Sequence, residues 1–330
     1  MDFDDLDRGL LHALQLDGRA PFRRIGEVLG VSDQTVARRY ARLRAGDAVR
    51  VVGFSDPVAV GDVTWLLRIR CGPDAAPEIA DALARRPDTS WISLTSGGTE
   101  ITCSVRSSDE PSDDLLLHKL PRTPGVLDVS AHQVLHVFYG GAREPFTKHG
   151  ALDATQVARL TEHVPDPGAA PEDRAGTERL DETDRRLLRV LRVDGRTPVE
   201  ELARATGASA TTVRRRLHDL RASGLLVLDV DADPGVLALP VRTALWLTVA
   251  PAQLETVGRA LAGHAEVPFT AATTGRTNIY TAVAHPDVPA LYRYLTTRIA
   301  ELPGVQAVET APTMRTVKAA DTHYTARRAR

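Results

Sequence analysis

Cysteine, lysine and methionine are scarce in this sequence of 330 residues. Its two cysteines, Cys71 and Cys103, exclude a disulfide scaffold and a four-cysteine zinc site. No apolar run approaches the roughly 18 residues of a membrane span. The chain opens Met-Asp-Phe-Asp-Asp, which is acidic where a signal peptide needs positive charge and an apolar core. These absences predict a cytoplasmic protein with no membrane partner.

Positive charge comes almost entirely from arginine. Lysine occurs three times, so 38 of the 41 basic residues (41 − 3) are arginine, and the net charge is −2. The average hides clustering, because the windows 32–44 and 209–221 each contain four arginines. Composition alone predicts about one and a half per window, and local density of this kind is typical of nucleic-acid binding.

The two arginine windows belong to an internal duplication. They lie 177 residues apart, and 18 of the 39 positions from 7 to 45 are identical to 184–222 without a gap. One shared motif is Asp-Gly-Arg, at 17–19 and 194–196, which we interpret as a turn. The similarity then resumes in looser form, where Trp65 aligns with Trp246 and the segment 95–97 aligns with 273–275.

Each copy begins with a predicted head of three helices. Leucines recur at helical spacing, Gly30 and Gly207 suit the end of the second helix, and Ser32 and Ser209 suit the N-cap of the third. A short glycine-containing turn before an arginine-dense helix predicts a helix-turn-helix. The alternative is a solvated face on an ordinary helical bundle.

Helical periodicity places an outward face on each third helix, with Gln34 and Arg38 in copy one and Thr211 and Arg215 in copy two. Arg39 and Arg216 fall nearer the core, so we expect each to pair with phosphate or an acidic neighbour. The predicted DNA contacts are Ser32, Gln34, Thr35, Arg38, Arg39, Arg42, Ser209, Thr211, Thr212, Arg214, Arg215 and Arg216.

Each copy ends in a predicted tail with the order βαββαβ, which is the ferredoxin-like arrangement. The fold class is therefore α+β: two copies of a three-helix helix-turn-helix head followed by a ferredoxin-like effector or assembly domain. The predicted boundaries are 1–54 for the first DNA-binding domain, 60–140 for the first tail, 141–178 for a helix and flexible linker, 179–232 for the second DNA-binding domain and 240–320 for the second tail.

Head and tail together resemble the leucine-responsive regulatory protein/AsnC (Lrp/AsnC) family of bacterial transcription regulators. The resemblance rests on Leu-Gln-Leu-Asp-Gly-Arg at 14–19, Val-Ser at 31–32 and Val-Ala-Arg-Arg-Tyr-Ala-Arg-Leu at 36–43, with their counterparts in copy two. It covers nearly the whole chain twice. It implies double-stranded DNA as a partner and a tail that pairs protomers and binds a small effector, commonly an amino acid.

The family's tail carries a Thr-Gly turn followed by an aspartate, and both copies depart from this pattern. Glu100 in copy one is longer than aspartate and Asn278 in copy two is uncharged, so neither turn need hold an ammonium group. The glycines still allow a ligand to approach the backbone closely. The effector contacts that the resemblance implies are Thr95, Gly97, Gly98, Glu100, Thr274, Gly275, Thr277 and Asn278. The alternative is a pair of hairpin turns without a ligand.

Two other functions stay open. Siroheme decarboxylases resemble this architecture, and such an enzyme would place His118, His132 and His136 around a tetrapyrrole. However, both heads keep DNA-reading character, no nucleophile motif occurs, and His132 and His136 lack a carboxylate or cysteine to complete a metal shell. We therefore expect no enzyme activity, metal or cofactor. The remaining alternative is a nucleoid protein of low sequence specificity.

The duplication also predicts how the molecule works. Relatives of half this length pair through their tails, so residues 63–138 and 241–318 can pair within one chain. The linker 164–176 spans at most about 45 Å when extended, which permits that pairing. Because the two reading helices differ, we expect an asymmetric operator, with chains assembling further into a nucleoid-associated homo-oligomer.

Overall fold

The computed structural model describes residues 3–55, 57, 60, 62–72, 74–107, 114–141, 150–162, 164, 180–232 and 236–320. The chain forms two compact units. The head unit comprises residues 1–61 and 142–237, and the tail unit comprises residues 62–141 and 238–330. Each unit thus combines material from both sequence copies. Except for Val164, the expected linker 164–176 lies outside the described residues.

The regular elements alternate in the order that the duplication predicts. In chain order they are α1 (Asp5–Leu16), α2 (Phe22–Leu29), α3 (Asp33–Ala45), β1 (Val49–Phe54), β2 (Val63–Cys71), α4 (Ala76–Ala84), β3 (Thr89–Thr95), β4 (Glu100–Ser107), β5 (Val126–Tyr139), α5 (Ala154–Thr161), α6 (Glu182–Val193), α7 (Val199–Thr206), α8 (Ala210–Ala222), β6 (Val227–Ala232), β7 (Val241–Val249), α9 (Leu254–Ala262), β8 (Phe269–Thr273), β9 (Ile279–His285), α10 (Val288–Tyr294) and β10 (Val305–Lys318). Irregular helical turns at Asp114–Lys119 and Leu120–Arg122 precede β5.

Both heads are three-helix bundles with the predicted caps. The second helix of each head ends at a left-handed glycine, Gly30 with φ 70° or Gly207 with φ 73°. Only glycine adopts this conformation without steric cost. Ser32 and Ser209 then cap α3 and α8, each accepting a hydrogen bond from the backbone three residues on. These features confirm the two helix-turn-helix heads.

A two-stranded ribbon joins the heads into one unit, and a further helix packs on the first head. Strands β1 and β6 form an antiparallel two-stranded ribbon, in which Val51 lies opposite Val230. The sequence analysis did not predict either strand. The helix expected in the segment between the copies is α5, which packs on the first head through the fully buried Leu160. In the same contact the Gln156 side chain donates to the Val28 carbonyl (3.0 Å).

The tail unit is a closed barrel of eight strands in the order β10-β3-β4-β2-β5-β8-β9-β7. Each copy supplies four strands and the order βαββαβ, as predicted. The copies meet where β5 pairs with β8 and where β10 pairs with β3. The two tails therefore form one continuous sheet system within a single chain.

Strand register corrects one alignment. Arg68 lies opposite Thr102 on β4, and Trp246 lies opposite Tyr280 on β9. Because Thr102 and Tyr280 occupy equivalent positions of their copies, the counterpart of Trp246 is Arg68 and not Trp65. The alignment from sequence was therefore wrong here by three residues. It matched the two tryptophans with each other, whereas the strand register matches a tryptophan with an arginine.

Candidate DNA-binding surface and effector turns

The third helix of each head has the predicted buried and outward faces. Its buried residues are Val36, Tyr40 and Leu43 in α3 and Val213, Leu217 and Leu220 in α8. On the outward face, Gln34, Arg38, Thr211 and Arg215 are all exposed. Side chains on this face are therefore free to reach base edges in a major groove.

The serines and threonines at the start of these helices are occupied by capping. The Ser32 hydroxyl accepts from the Thr35 backbone amide (3.2 Å) and also bonds the Thr35 hydroxyl (3.0 Å). Ser209 and Thr212 repeat this arrangement at 3.1 and 2.9 Å.

Three of the arginines predicted to bind DNA instead stabilise the heads. Arg39 pairs with Asp4 and Asp7, and Arg42 pairs with Asp7. The Asp7 side chain is fully buried, so these ion pairs hold α3 against α1. Arg216 makes the equivalent contacts with Asp181 and Asp184. Arg39 and Arg216 were each expected to pair with a phosphate or with an acidic neighbour. In the structure each of them pairs with acidic neighbours.

The remaining predicted arginines keep their guanidinium groups in solvent. Arg214 lies 3.2 Å from Glu200 and Arg215 lies 3.4 Å from Asp219, with 59% and 65% of the arginine side chains exposed. Such exposed pairs contribute little stability, so a phosphate or base can replace the carboxylate. Among the described residues Arg38 makes no ion pair.

The arginine windows contain two residues whose role the sequence did not reveal. Arg44 pairs with Asp194 of the other head (2.7 Å), and Arg221 pairs with Asp17 (2.9 Å). Both arginines lie in the last turn of a recognition helix. Arginine density therefore reflected structural ion pairs as much as a DNA-binding face, and only the acidic partners distinguish the two uses.

The two outward faces differ in chemistry. Where copy one has Ala37 and Ala41, copy two has Arg214 and His218, and all but the half-buried Ala37 are exposed. Asp219 occupies the position of Arg42. The faces therefore present different donors and acceptors to DNA.

The predicted effector turn of copy one is open on its outer side. Gly97 and Gly98 have φ angles of 72° and 85°, and a Cβ built on either one would meet no atom within 4 Å. Buried Thr95 closes the turn by donating to the Glu100 carbonyl (3.3 Å). The Glu100 carboxylate is taken up by Arg68, which donates to both oxygens at 3.1 and 3.2 Å.

The equivalent turn of copy two is occupied by the protein itself. The Asn278 side chain donates to the Val249 carbonyl and accepts from its amide, both at 2.8 Å. The backbone carbonyl of buried Thr277 accepts a hydrogen bond from the Thr273 hydroxyl (3.3 Å). A Cβ on Gly275 would lie 2.5 Å from Nδ1 of His132. The Thr274 hydroxyl accepts from the Gln133 amide (2.9 Å).

A network of charged and aromatic side chains joins the copies inside the tail unit. Arg68 of copy one bonds Glu309 of copy two (2.7 Å) and lies 5.1 Å from the Trp246 ring. Although burial opposes its charge, the hydrogen bonds to Glu100 and Glu309 raise the pKa of Arg68. Glu100 therefore serves as a partner of Arg68 and leaves no free carboxylate at the turn.

The three histidines suggested for a tetrapyrrole do not share one setting. His118 is exposed. His132 is buried, bonds the Thr274 carbonyl through Nδ1 (2.8 Å) and lies beside Trp246, with ring centroids 4.9 Å apart and the planes tilted by 42°. His136 lies edge-on to Phe138 with ring centroids 4.7 Å apart. Among the described residues, no group of three His, Cys, Asp or Glu side chains is arranged to hold a metal.

Comparison with known proteins agrees with this architecture. A model of the AsnC-type helix-turn-helix domain matches residues 3–44 and 180–221, and a model of the Lrp/AsnC ligand binding domain matches 244–322. The regulatory protein AsnC of Haemophilus influenzae is 31% identical over 137 residues, covering 41% of this chain and 91% of that protein. The HTH-type transcriptional regulator FL11 of Pyrococcus horikoshii is 26% identical over 125 residues, or 37% of this chain and 83% of the relative.

These findings place the chain in the class of DNA-binding transcription regulators that have an effector-type α+β domain. The chain belongs to the Lrp/AsnC family, and its helix-turn-helix occurs twice. A crystal structure of the siroheme decarboxylase NirDL matches 97% of this chain and 94% of its own, with a TM-score of 0.62 and 14% identity. At that identity the match shows a shared fold. No helix within the described residues has the length and apolarity to cross a membrane.

Proposed function

We propose that one chain acts as a pseudo-dimeric, two-headed regulator that reads a specific DNA sequence. The observation that supports this most strongly is that both heads expose a capped recognition helix, α3 or α8, with different outward side chains. Pairing of the copies through β5–β8 and β10–β3 supports a single chain as the binding unit. Double-stranded DNA is the proposed partner, and further homo-oligomerisation remains part of the proposal.

The DNA contacts proposed here are narrower than those expected from the sequence. Arg38, Arg214 and Arg215, with Gln34 and Thr211, have exposed side chains that face outward. They are suited to hydrogen bonds with base edges and phosphates. Arg39, Arg42 and Arg216 are left out of this set because each forms an ion pair with a buried aspartate of its own head.

A small effector is proposed to act at the copy-one turn. Because Glu100 is paired with Arg68, the groups left for a ligand are the backbone atoms around Gly97 and Gly98, where the outer side is open. In copy two His132 fills the corresponding space. The proposal is therefore one effector turn per chain, for a ligand recognised through backbone hydrogen bonds.

The enzyme alternative has a direct test. A siroheme decarboxylase would place histidines and basic groups around a tetrapyrrole, whereas His132 is engaged with Thr274 and Trp246. The purified protein is therefore expected to stay colourless and to show no Soret band after incubation with iron uroporphyrin. A tight, stoichiometric Soret-absorbing complex would favour the enzyme.

The regulator is tested by the bound sequence and by two substitutions. Genomic DNA fragments captured by the protein define the operator, whose affinity is compared with that of random duplex at fixed salt. We expect a ratio above about 10³, whereas a nucleoid protein would show little preference. Arg38→Ala and Arg215→Ala should each weaken operator binding by about 1–3 kcal/mol in fluorescence anisotropy. The exposed Arg259→Ala in the tail unit is the matched control, and operator affinity unchanged in both head variants would contradict the proposed roles.

A further inference from the structure

The repeated Asp-Gly-Arg motif forms a reciprocal contact between the heads. Arg19 donates to the carbonyls of Gly195 (2.7 Å) and Thr197 (2.9 Å). Arg196 donates to the carbonyls of Gly18 (2.7 Å) and Ala20 (3.0 Å). Each arginine thus binds two carbonyl groups in the loop that bears the other arginine. We call these two arginines and their four acceptors the arginine clasp.

The arginine clasp is connected directly to both recognition helices. Asp17 and Asp194 begin the two loops and are the C-caps of α1 and α6. Asp194 pairs with Arg44 at the end of α3, and Asp17 pairs with Arg221 at the end of α8. A shift of one loop against the other would therefore strain or break a contact to a recognition helix.

Close packing leaves the loops little freedom. A Cβ on Gly18 would lie 2.8 Å from Cγ1 of Val51, and one on Gly195 would lie 2.9 Å from the same atom. Val51 belongs to the ribbon strand β1, so both loops rest on one side chain of the ribbon. Burial lowers the pKa of both guanidinium groups, and the neighbouring Arg196 further lowers that of Arg19. The carbonyl acceptors compensate a charge that would otherwise be unfavourable in this setting.

The ribbon strands also pack on the heads, because Val230 of β6 belongs to the core of the first head and a Cβ on Gly53 of β1 would lie 3.0 Å from Cβ of Leu191 in α6. A two-stranded antiparallel ribbon is marginally stable by itself and varies widely in twist. Beside the ribbon, the arginine clasp adds four hydrogen bonds between the heads, and the pairs Arg44–Asp194 and Arg221–Asp17 add two ion pairs. These directional contacts restrict how far one head can turn against the other.

We propose that Arg19 and Arg196 are positioning residues that set the distance and rotational phase between α3 and α8, and thereby the half-site spacing of the operator. This inference rests on the proposed DNA-binding function. Inserting one base pair turns a half-site by about 34° and moves it by about 3.4 Å. A rigid pair of heads distinguishes such a change, whereas a loosely joined pair does not.

The test compares Arg19→Lys/Arg196→Lys with the wild-type chain on operators whose central spacer is changed by −2 to +2 base pairs. Lysine keeps the charge but lacks the planar fork that binds two carbonyls. The wild type should lose about tenfold or more in affinity at ±2 base pairs, which is about 1.4 kcal/mol. The double variant should lose less than about threefold in operator affinity across the series. Arg8→Lys/Arg185→Lys, at equivalent positions of α1 and α6 outside the clasp, with Arg8 half-buried and Arg185 exposed, should keep the wild-type profile.

A second measurement separates failure of the clasp from failure of DNA binding. Spin labels at Gln34→Cys and Thr211→Cys report the distance between the recognition helices without DNA, since native Cys71 and Cys103 are buried. We expect one narrow distance distribution in the wild type and a broad one in the double lysine variant. If that variant unfolds, Arg196→Lys alone is measured, with a smaller broadening expected. Unchanged distributions and spacing profiles would overturn the positioning role, whereas broadening without operator preference would overturn only the regulator.

Discussion

Asp7 is the residue on which the first head depends most directly. Its fully buried carboxylate binds both Arg39 and Arg42. Its counterpart Asp184 has only Arg216, at 3.5 Å, because Asp219 replaces the second arginine. Burial raises the pKa of Asp184, with the proximity of Asp181 adding to this effect. The same sequence position is therefore a strong charge partner in one head and a weak one in the other.

Asp7→Asn should lower the unfolding free energy of the head unit by about 2–4 kcal/mol, because it leaves Arg42 without its charged partner and Arg39 with Asp4 alone. Asp184→Asn should cost less, about 1 kcal/mol, because burial already opposes the charge of Asp184 and its ion pair with Arg216 is long, at 3.5 Å. All three tryptophans lie in the tail unit, so an unfolding transition seen in far-UV circular dichroism but not in tryptophan fluorescence belongs to the head unit. Equal losses in the two variants would contradict this assignment.

Asp229 gives the ribbon a pH dependence near neutrality. Burial, reinforced by the neighbouring Asp231, raises the pKa of Asp229 to about 7. A carboxyl group whose pKa is raised by folding stabilises the folded state below its unfolded pKa, and this contribution is lost as pH rises through 7. The ribbon should therefore be more stable at pH 5 than at pH 8.5.

We expect the wild type to lose about 2 kcal/mol more than Asp229→Asn between these pH values. Hydrogen exchange of the β1 and β6 amides measures this locally, after correction for the intrinsic rate at each pH. A pH dependence that persists in the asparagine variant would assign the effect to another group.

At the scale of elements, the two effector turns should differ in how strongly a glycine-to-alanine substitution destabilises them. Alanine at Gly97 meets no atom within 4 Å, so its cost comes from the positive φ alone, about 1 kcal/mol. Gly275 has a φ of 110°, which is less favourable for alanine than the 72° of Gly97, and a Cβ there would also contact the His132 ring. Alanine at Gly275 should therefore displace His132 from its place beside Trp246 and destabilise the tail unit by more than about 2 kcal/mol. Tryptophan fluorescence during denaturation measures the unfolding free energy of both variants. Equal losses in the two variants would contradict this prediction.

Helix positions and caps could be predicted from sequence because they depend on local chemistry. Leucine spacing, Gly30 and Ser32 each act within one or two helical turns. Strands β1 and β6 were missed because six residues form a stable strand only against a partner far away along the chain, as Val51 does with Val230, 179 residues on (230 − 51). Arg39 and Arg42 were assigned to DNA because helical periodicity does not reveal the acidic side chains of α1.

At the scale of the whole molecule, duplication permits asymmetry that two identical chains cannot have. In the tail unit Arg68 of copy one stacks over Trp246, its counterpart in copy two. In the head unit α5 covers only the first head. The order of strands within each copy followed from periodicity, but their pairing across copies did not, because side-chain alternation carries no information about the neighbouring strand.

The central claim is that one chain reads two different half-sites with two different heads. Footprinting of the operator with Gln34→Ala/Arg38→Ala and with Thr211→Ala/Arg215→Ala tests it most directly. We predict that each double variant loses protection over one half-site, that the two lost half-sites differ, and that their sequences are not related by a palindrome. A perfect palindrome from which either variant loses protection equally on both sides would contradict the account.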